Sequence, residues 1–394
     1  MLQIAPMMEV TYRDFRYFMR LLTRRAQLWT EMVVDDTLLH NLEDKRTDRW
    51  LRFHPDEHPV VCQLGGSDPA KLAEAAKIVE SYGYDEVNLN VGCPSNRVAC
   101  KGEFGCSLMP RRELVRDIIH SMSRQVQIPV TVKCRLGCDD HDSPAFTKEF
   151  VRTVAQGGCK HFYIHARKAW LNGLSPAQNR SVPPLHYARI IDLCREFPDC
   201  NFSINGGIQD TSQARALLGF PGERLDGETD ELIASAWGWP GTDAERGAWS
   251  GIPSNFTGVM IGRGAMNNPV MLWDVDRCIY GDPAPEKPVT RRQILERYRD
   301  YLLEEHGEGD RTVGSVHLAI KPTLGLFAGL RGNKKYRVTA DQLMRVKEIR
   351  EQGPAHVLEG AMAALEEANP GLLDQPLAPC EAWRPGRPDV GGLE

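Results

Sequence analysis

The sequence predicts an α/β protein: a (β/α)8 TIM barrel followed by a smaller C-terminal all-helical domain. Three observations carry this. Short apolar runs alternate with amphipathic stretches of helical spacing, the pattern of parallel strands joined by helices. Eight such runs fall within the first 263 residues, which suits a closed barrel better than an open sheet. Past a proline-rich break at 281–289, GDPAPEKPV, only helical periodicity remains.

The strands read LQIA (2–5), LWTEM (28–32), PVVCQL (59–64), EVNLNV (86–91), PVTVKC (129–134), HFYIHA (161–166), NFSIN (201–205) and GVMIGR (258–263). Helical patterns such as PAKLAEAAKIVESYG (69–83) and RRELVRDIIHSMSRQV (111–126) lie between them, and the connection 33–58 is the least regular. The seventh connection is long. Residues 219–255 hold seven glycines, Trp237, Trp239 and Trp249, and two Arg against seven Asp/Glu. A surface insertion packed on the barrel is expected there. The barrel domain is thus 1–280 and the linker 281–289. A helical domain at 290–368 follows, carried by ILERYRDYLL (294–303), LMRVKEIREQ (343–352) and HVLEGAMAALEEA (356–368). The Pro- and Gly-rich stretch 369–394 is expected to be a disordered tail.

With 394 residues, 42% hydrophobic and 26% charged, the chain is long enough to bury its own cores without disulfides or metal. It has no apolar run of membrane length, and LQIAPMMEV lacks the basic start and apolar run of a signal peptide, so neither a membrane span nor a signal peptide is expected. Because Leu2–Ala5 already reads as a core strand, a native chain could start earlier with a targeting segment. The expected compartment is the cytoplasm, with an organelle as the alternative. Eleven cysteines, none in a Cys-x-x-Cys pair, point to a reducing compartment and away from zinc ribbons and disulfide frameworks. No metal is expected, and the chain is expected to be a monomer. The net charge of −5 does not advertise a nucleic-acid binder, yet residues 311–351 carry nine Lys/Arg against three Asp/Glu. Charge distribution, not the total, matters for a polyanion.

Barrels of this type place their sites at the C-terminal strand ends. Those ends deliver Pro6 and Met7, Glu31, Gln63, Asn88 and Asn90 with Cys93 beyond, Lys133 with Cys134 and Arg135, His165 with Arg167, Asn205-Gly206-Gly207, and Gly262-Arg263-Gly264. Singly, each has a plain structural reading: a solvated lysine, a packed histidine, a turn, an inert buried thiol. Their coincidence on one rim gives them weight. NGGI and IGRG offer backbone N–H groups after strands seven and eight, the usual phosphate site of the fold, with Arg263 adding a charged fork. A phosphate-bearing ligand is therefore expected. Gln63 can bond the edge of a flavin ring, and Lys133 and His165 can hold positive charge where a reduced flavin gathers negative charge. No Gly-x-Gly-x-x-Gly nicotinamide fingerprint follows a strand.

QLGGSDP (63–69), YDEVNLNVGCPSNRV (84–98), VTVKCRLG (130–137), IHARKAWLNGLSP (164–176), SINGGI (203–208) and VMIGRGAMNNP (259–269), with Ala5-Pro6-Met7, resemble the tRNA-dihydrouridine synthases. The likeness spans residues 4–340 except for the insertion, and 164–185 resembles the branch acting at D-loop positions 20 and 20a. The resemblance implies an FMN barrel with a helical tRNA-binding domain, reducing the uridine C5=C6 bond with NADPH as electron source. It implies FMN contacts at Pro6, Met7, Gln63, Lys133, His165, Asn205, Gly206, Gly207, Gly262 and Arg263. It also implies Cys93 as proton donor and Asn90 beside the uracil.

The residue types suit that chemistry. Hydride arriving at C6 leaves a carbanion at C5 that needs a proton. A thiol is mostly protonated at pH 7 yet acidic enough to give it. A base stacked in a helix cannot reach a barrel mouth, so an unstacked loop nucleotide must be flipped in. Its phosphates need cations: Arg167, Lys168 and Arg180 after strand six, and Lys334, Lys335 and Arg337 in the basic segment. Tyr336-Arg337-Val338 departs from the Trp-Arg-Arg usual in the branch. Two other readings stay open. A free-pyrimidine reductase resembling dihydroorotate dehydrogenases would not need the basic helical domain, and a non-catalytic tRNA binder would not need the flavin and thiol groups.

Overall fold

The computed structural model describes residues 1–42, 46–95, 98, 102–219, 252–307 and 312–377. Its strands are β1 (Leu2–Ile4), β2 (Leu28–Val34), β3 (Val60–Gly65), β4 (Glu86–Val91), β5 (Val130–Arg135), β6 (His161–His165), β7 (Asn201–Asn205) and β8 (Phe256–Ile261). They form one sheet in the order β1-β8-β7-β6-β5-β4-β3-β2, every pairing parallel. The seam closes through Gln27, whose N–H donates to Leu2 O at 3.0 Å and whose carbonyl accepts from Ile4 N at 2.9 Å. All eight expected strands form, and the barrel expectation holds.

Local sequence explains the helices between strands. Asp68 caps Pro69–Ser81 by accepting from Ala70 and Lys71 N, and Ser143 caps Pro144–Gln156 by accepting from Phe146 N. In each, proline fills the first helical position, where no N–H is needed. The outer strand faces are buried under these helices, so Val87, Leu89 and Val91 on β4 are fully buried.

The inside of the barrel is layered. Ala5, Trp29, Val61, Tyr163 and Met260 make an apolar plug, with Trp29 packed edge-on to Tyr163 at 4.6 Å. Below it, Gln3 Nε2 donates to Ser203 Oγ at 3.0 Å, and a Cβ on Gly258 would lie 2.3 Å from that nitrogen. Glycine is what lets this pair sit inside. The plug closes the barrel from one side and leaves the strand C-termini as the open rim.

The chain divides into two compact units, 1–12 with 26–262, and 13–25 with the chain from Arg263 onward. The second unit thus starts before the expected linker and takes in the helix Arg13–Leu22. Within it, Tyr17 stacks on Tyr301 at 3.9 Å, and Asp14 accepts from Tyr301 OH at 2.8 Å. These partners lie far apart in sequence, so no local pattern announces them. Helices Arg291–His306, Val313–Ile320, Asn333–Arg345 and Pro354–Ala368 make up the rest, the first closed by a Thr290–Gln293 capping box. The tail expected from Asn369 begins as folded chain: Leu372, Leu373 and Leu377 are buried and Leu377 N donates to Val289 O at 2.9 Å. Of the insertion expected at 219–255, residues 220–251 lie outside the described residues, as does the remaining tail, 378–394.

Candidate active site

Strand alternation puts every second residue inside the barrel. On β4 these are Glu86, Asn88 and Asn90; on β5, Thr131, Lys133 and Arg135. They are joined across strands. Thr131 Oγ1 donates to Glu86 Oε1 at 2.5 Å and accepts from Asn88 Nδ2 at 2.9 Å. Asn88 Oδ1 accepts from Gln63 Nε2 at 2.9 Å, and Gln63 Oε1 accepts from Asn90 Nδ2 at 2.8 Å. Asn90 Oδ1 then accepts from the N–H groups of Gly92 and Cys93, both at 3.0 Å. The chain runs from the barrel interior to the backbone of the cysteine loop.

Cys93 stands apart from the other thiols. Among the nine described cysteines it is the one not fully buried. Its carbonyl accepts from Cys106 N at 3.0 Å, and a Cβ on Gly105 would lie 2.7 Å from that oxygen. Burial pushes the thiol pKa up, while a hydrogen bond from the Ser95 backbone and the charges of Arg135, Arg180 and Lys133 pull it back. The net shift is upward, so the group is a thiol at neutral pH.

Lys133 donates to Asn205 Oδ1 at 3.1 Å, and Asn205 Nδ2 is spent on Met260 O at 3.0 Å. Burial, with help from Arg135, lowers the Lys133 pKa to about 8, so the ammonium still dominates at pH 7. The positive charge expected at His165 is not there: burial and the cations around it hold the imidazole neutral, which leaves Lys133 as the cation of the pair. The His165 Nε2 is buried with no hydrogen-bond partner among the described residues. It is one of ten such buried side-chain atoms among the described residues, and the one on this rim's histidine leaves a hydrogen-bonding position open to a ligand. Gly206 and Gly207 follow at φ +107° and +77°, and a Cβ on Gly206 would come within 2.5 Å of the His165 ring. Tyr187 OH donates to Gly206 O. Pro6 and Met7 are half-buried, and Met7 N donates to Thr11 Oγ1 at 3.0 Å. At Gly262 a Cβ would only touch Ala5 and the Met7 sulfur, at 3.6 and 3.7 Å.

Gln63, Asn90, Cys93, Lys133, Asn205, His165 and Gly206 therefore converge on one rim. Of the helices expected after the glycine loops, Thr211–Leu217 is capped by Asp210, which accepts from Gln213 N, and Arg263–Asn267 is a short turn that Arg263 opens. The loop N–H groups, not a long helix N-terminus, are what the strand ends offer an anion.

Arg135 was visible at a strand end but is more than a solvated rim charge. It is buried, its Nε donates to Gly92 O at 2.9 Å, and its Nη1 donates to Lys168 O at 3.0 Å and Asn179 O at 2.9 Å. It ties the cysteine loop to the loop after β6. That second loop is organised by Asn179, fully buried, whose Oδ1 accepts from Trp170 N and whose Nδ2 reaches three carbonyls. A pocket of about 380 Å³ lies between Ser95 and Leu171, Asn172, Gly173, Leu174, Ser175 and Pro176. Among the loop's cations, Arg180 is exposed, and Arg167 Nη1 donates to Pro183 O. Lys168 is occupied by Asp142 at 2.9 Å and by the Trp170 ring at 4.0 Å.

In the second unit, Lys334, Lys335 and Arg337 are exposed at the start of Asn333–Arg345. Tyr336 between them is fully buried and donates to Thr323 Oγ1 at 2.8 Å, so this departure from the branch pattern is a core residue. Among the described residues no helix is long and apolar enough to cross a membrane, and no group of three His, Cys, Asp or Glu could hold a metal.

A sequence model of the dihydrouridine synthase (Dus) family matches residues 3–223. The tRNA-dihydrouridine(20/20a) synthase of Salmonella typhimurium is 43% identical over 336 residues, covering 85% of this chain and 87% of the relative. The enzyme of the same name from Escherichia coli K12 is 42% identical, covering 85% and 84%, and that of Vibrio cholerae 40% identical, covering 85% and 89%. With the expected motifs gathered on one barrel rim and this identity running through most of its length, the chain belongs to the dihydrouridine synthase family.

Proposed function

We propose that this protein is an FMN-dependent tRNA-dihydrouridine synthase that reduces the C5=C6 bond of D-loop uridine at positions 20 and 20a, with NADPH as electron source. The observation that carries the reading is the thiol of Cys93, partly open, protonated, and held on the rim by Asn90 beside Gln63 and Lys133. The names of the relatives support the substrate.

The residues present fit FMN. His165 Nε2 is a buried polar atom without a partner, Gly206 and Gly207 leave a cradle that side chains would fill, and Lys133 supplies a cation. Gln63 retains one amide hydrogen and one lone pair beyond its chain bonds. Pro6, Met7, Asn205, Gly262 and Arg263 would complete the holding set. When bound and reduced, FMN supplies the hydride for C6. The chain's own part is to hold the uracil and move one proton. Asn90 orients the base, and Cys93 Sγ gives its proton to C5. The raised thiol pKa keeps that proton available at pH 7, where an ordinary carboxylic acid would be ionised. The pocket beside Ser95 offers room for the nucleotide flanks.

Two sets of cations support a polyanionic substrate. Arg167 and Arg180 stand on the loop after β6. Lys334 and Arg337 are exposed, one helical turn apart, and pair with no described carboxylate. Lysines in a first turn oppose the helix dipole, a cost that anion binding offsets.

Cys93→Ala tests the reading. It should keep flavin and tRNA binding and lose dihydrouridine formation by about 10²- to 10⁴-fold, measured by mass spectrometry of tRNA. Wild-type turnover would remove Cys93 from the reaction. A colourless protein that FMN cannot reconstitute would end the flavoenzyme reading.

A further inference from the structure

The inference concerns the same rim and rests on the proposed reaction only for its consequence in turnover. Which way each amide of the buried chain points follows from its upper end. Gly92 N and Cys93 N can only donate, so Asn90 must turn Oδ1 to them and Nδ2 to Gln63. Gln63 must then meet Asn90 with oxygen and Asn88 with nitrogen. Asn88 in turn offers nitrogen to Thr131, whose hydroxyl is left to donate downward. The acceptor waiting there is Glu86 Oε1 at 2.5 Å. Its other oxygen accepts from Tyr163 OH at 3.0 Å and Gln27 Nε2 at 3.5 Å. Both ends of the chain demand the same direction.

We propose that Glu86 is a positioning residue: its carboxyl group, as the terminal acceptor, fixes the direction of this hydrogen-bond chain and thereby orients Gln63, Asn90 and the backbone that carries Cys93. Without an acceptor at 86, Thr131 is free to donate upward to Asn88. Every amide would then flip in turn, until Asn90 faced the loop with its NH2 against two N–H donors. The loop would have to move. Aligned hydrogen bonds reinforce one another, so the ends communicate. The position is costly, since Glu86 is buried with no cation beside it among the described residues, and burial raises its pKa to about 7. A carboxyl group kept at such a site fits a positioning role better than a stabilising one.

The test reads the loop without flavin or tRNA: the rate at which iodoacetamide alkylates Cys93 in the full-length protein, followed by peptide mass spectrometry. Glu86→Leu and Thr131→Val should each speed alkylation by about 3- to 10-fold, the scale of one net hydrogen bond. Glu86→Gln and Thr131→Ser, which keep an acceptor and a hydroxyl, should stay near the wild-type rate. In an Asn90→Ala background, Thr131→Val should add nothing. Unchanged alkylation in Thr131→Val, or effects of Thr131→Val and Asn90→Ala that simply multiply, would overturn the proposal. If Glu86→Leu does not fold, the Thr131 pair and the Asn90 background decide alone. Should the wild type form no dihydrouridine, the reaction fails while this measurement stands.

Discussion

Arg135→Lys offers a sharp test of how the rim is held together. The guanidinium serves three carbonyls, Gly92 O at 2.9 Å, Lys168 O at 3.0 Å and Asn179 O at 2.9 Å. Lysine keeps the charge but not the fork, and its single nitrogen can follow one direction at a time. Two carbonyls then lose a charged donor, at roughly 1.5–3 kcal/mol each. Water reaching the half-buried loop around Lys168 recovers part of that. A net loss of about 2–4 kcal/mol should fall on the local opening of the loop after β6. Trypsin reads this opening directly, because Lys168 and Arg180 are its own cleavage sites. When opening is fast relative to cutting, cleavage tracks the open population, so about 2–4 kcal/mol becomes a rise of roughly 30- to several-hundred-fold. A rise below threefold would mean that Arg135 is a buried charge the loops do not depend on.

Three further outcomes follow from the same geometry. Gly206→Ala places a Cβ 2.5 Å from the His165 ring at φ +107°, so it should displace His165, lower the barrel's melting temperature and reduce flavin content; normal flavin loading would detach the glycine pair from cofactor binding. Burial lifts Glu86 from 4.5 to about 7, so between those pH values the folded chain holds a proton the unfolded chain has lost. Stability from this group falls as pH rises through that window, by about 3 kcal/mol. Glu86→Gln should therefore gain on the wild type in urea unfolding from pH 4.5 to 7, and a constant difference would contradict the buried titration. Lys334→Ala with Arg337→Ala should weaken tRNA binding and flatten its log–log salt dependence by roughly one to two units; an unaltered slope would move the phosphate contacts elsewhere.

Much of this was legible in the sequence, because barrel strands carry their own signature. Runs such as PVVCQL and NFSIN are apolar enough to be buried on their outer face, and the polar residues at their ends have one place to go. The boundary of the second unit was not legible. Helix Arg13–Leu22 groups with distant residues through Asp14, Tyr17 and their partners Tyr301 and His306, contacts that leave no local periodicity. Nor can composition tell that Tyr336 is core while Lys334 and Arg337 are surface. Only the helical phase fixed by Gly332 and the packing of Tyr336 against Phe327 decides that.

What singles out Cys93 is its context rather than the chemistry of the thiol itself. Eight described cysteines are buried side chains. What separates Cys93 is the strand before it. EVNLNV alternates polar and apolar residues, yet both faces of a barrel strand are covered, so the polar face has no solvent to meet. Glu86, Asn88 and Asn90 must find partners inside, and each such residue adds a desolvation cost unless every donor and acceptor is matched. A polar inner face on a central strand is therefore a signal in its own right. It says that the fold accepts a buried network in order to hold whatever the strand delivers at its end. Here the strand delivers Gly92 and Cys93, and the network terminates on their N–H groups. The same alternation on β5 delivers Thr131, Lys133 and Arg135, one to the network, one to Asn205, one to the two loops. Two adjacent strands with polar interiors thus mark the candidate site before any single residue in it is interpreted.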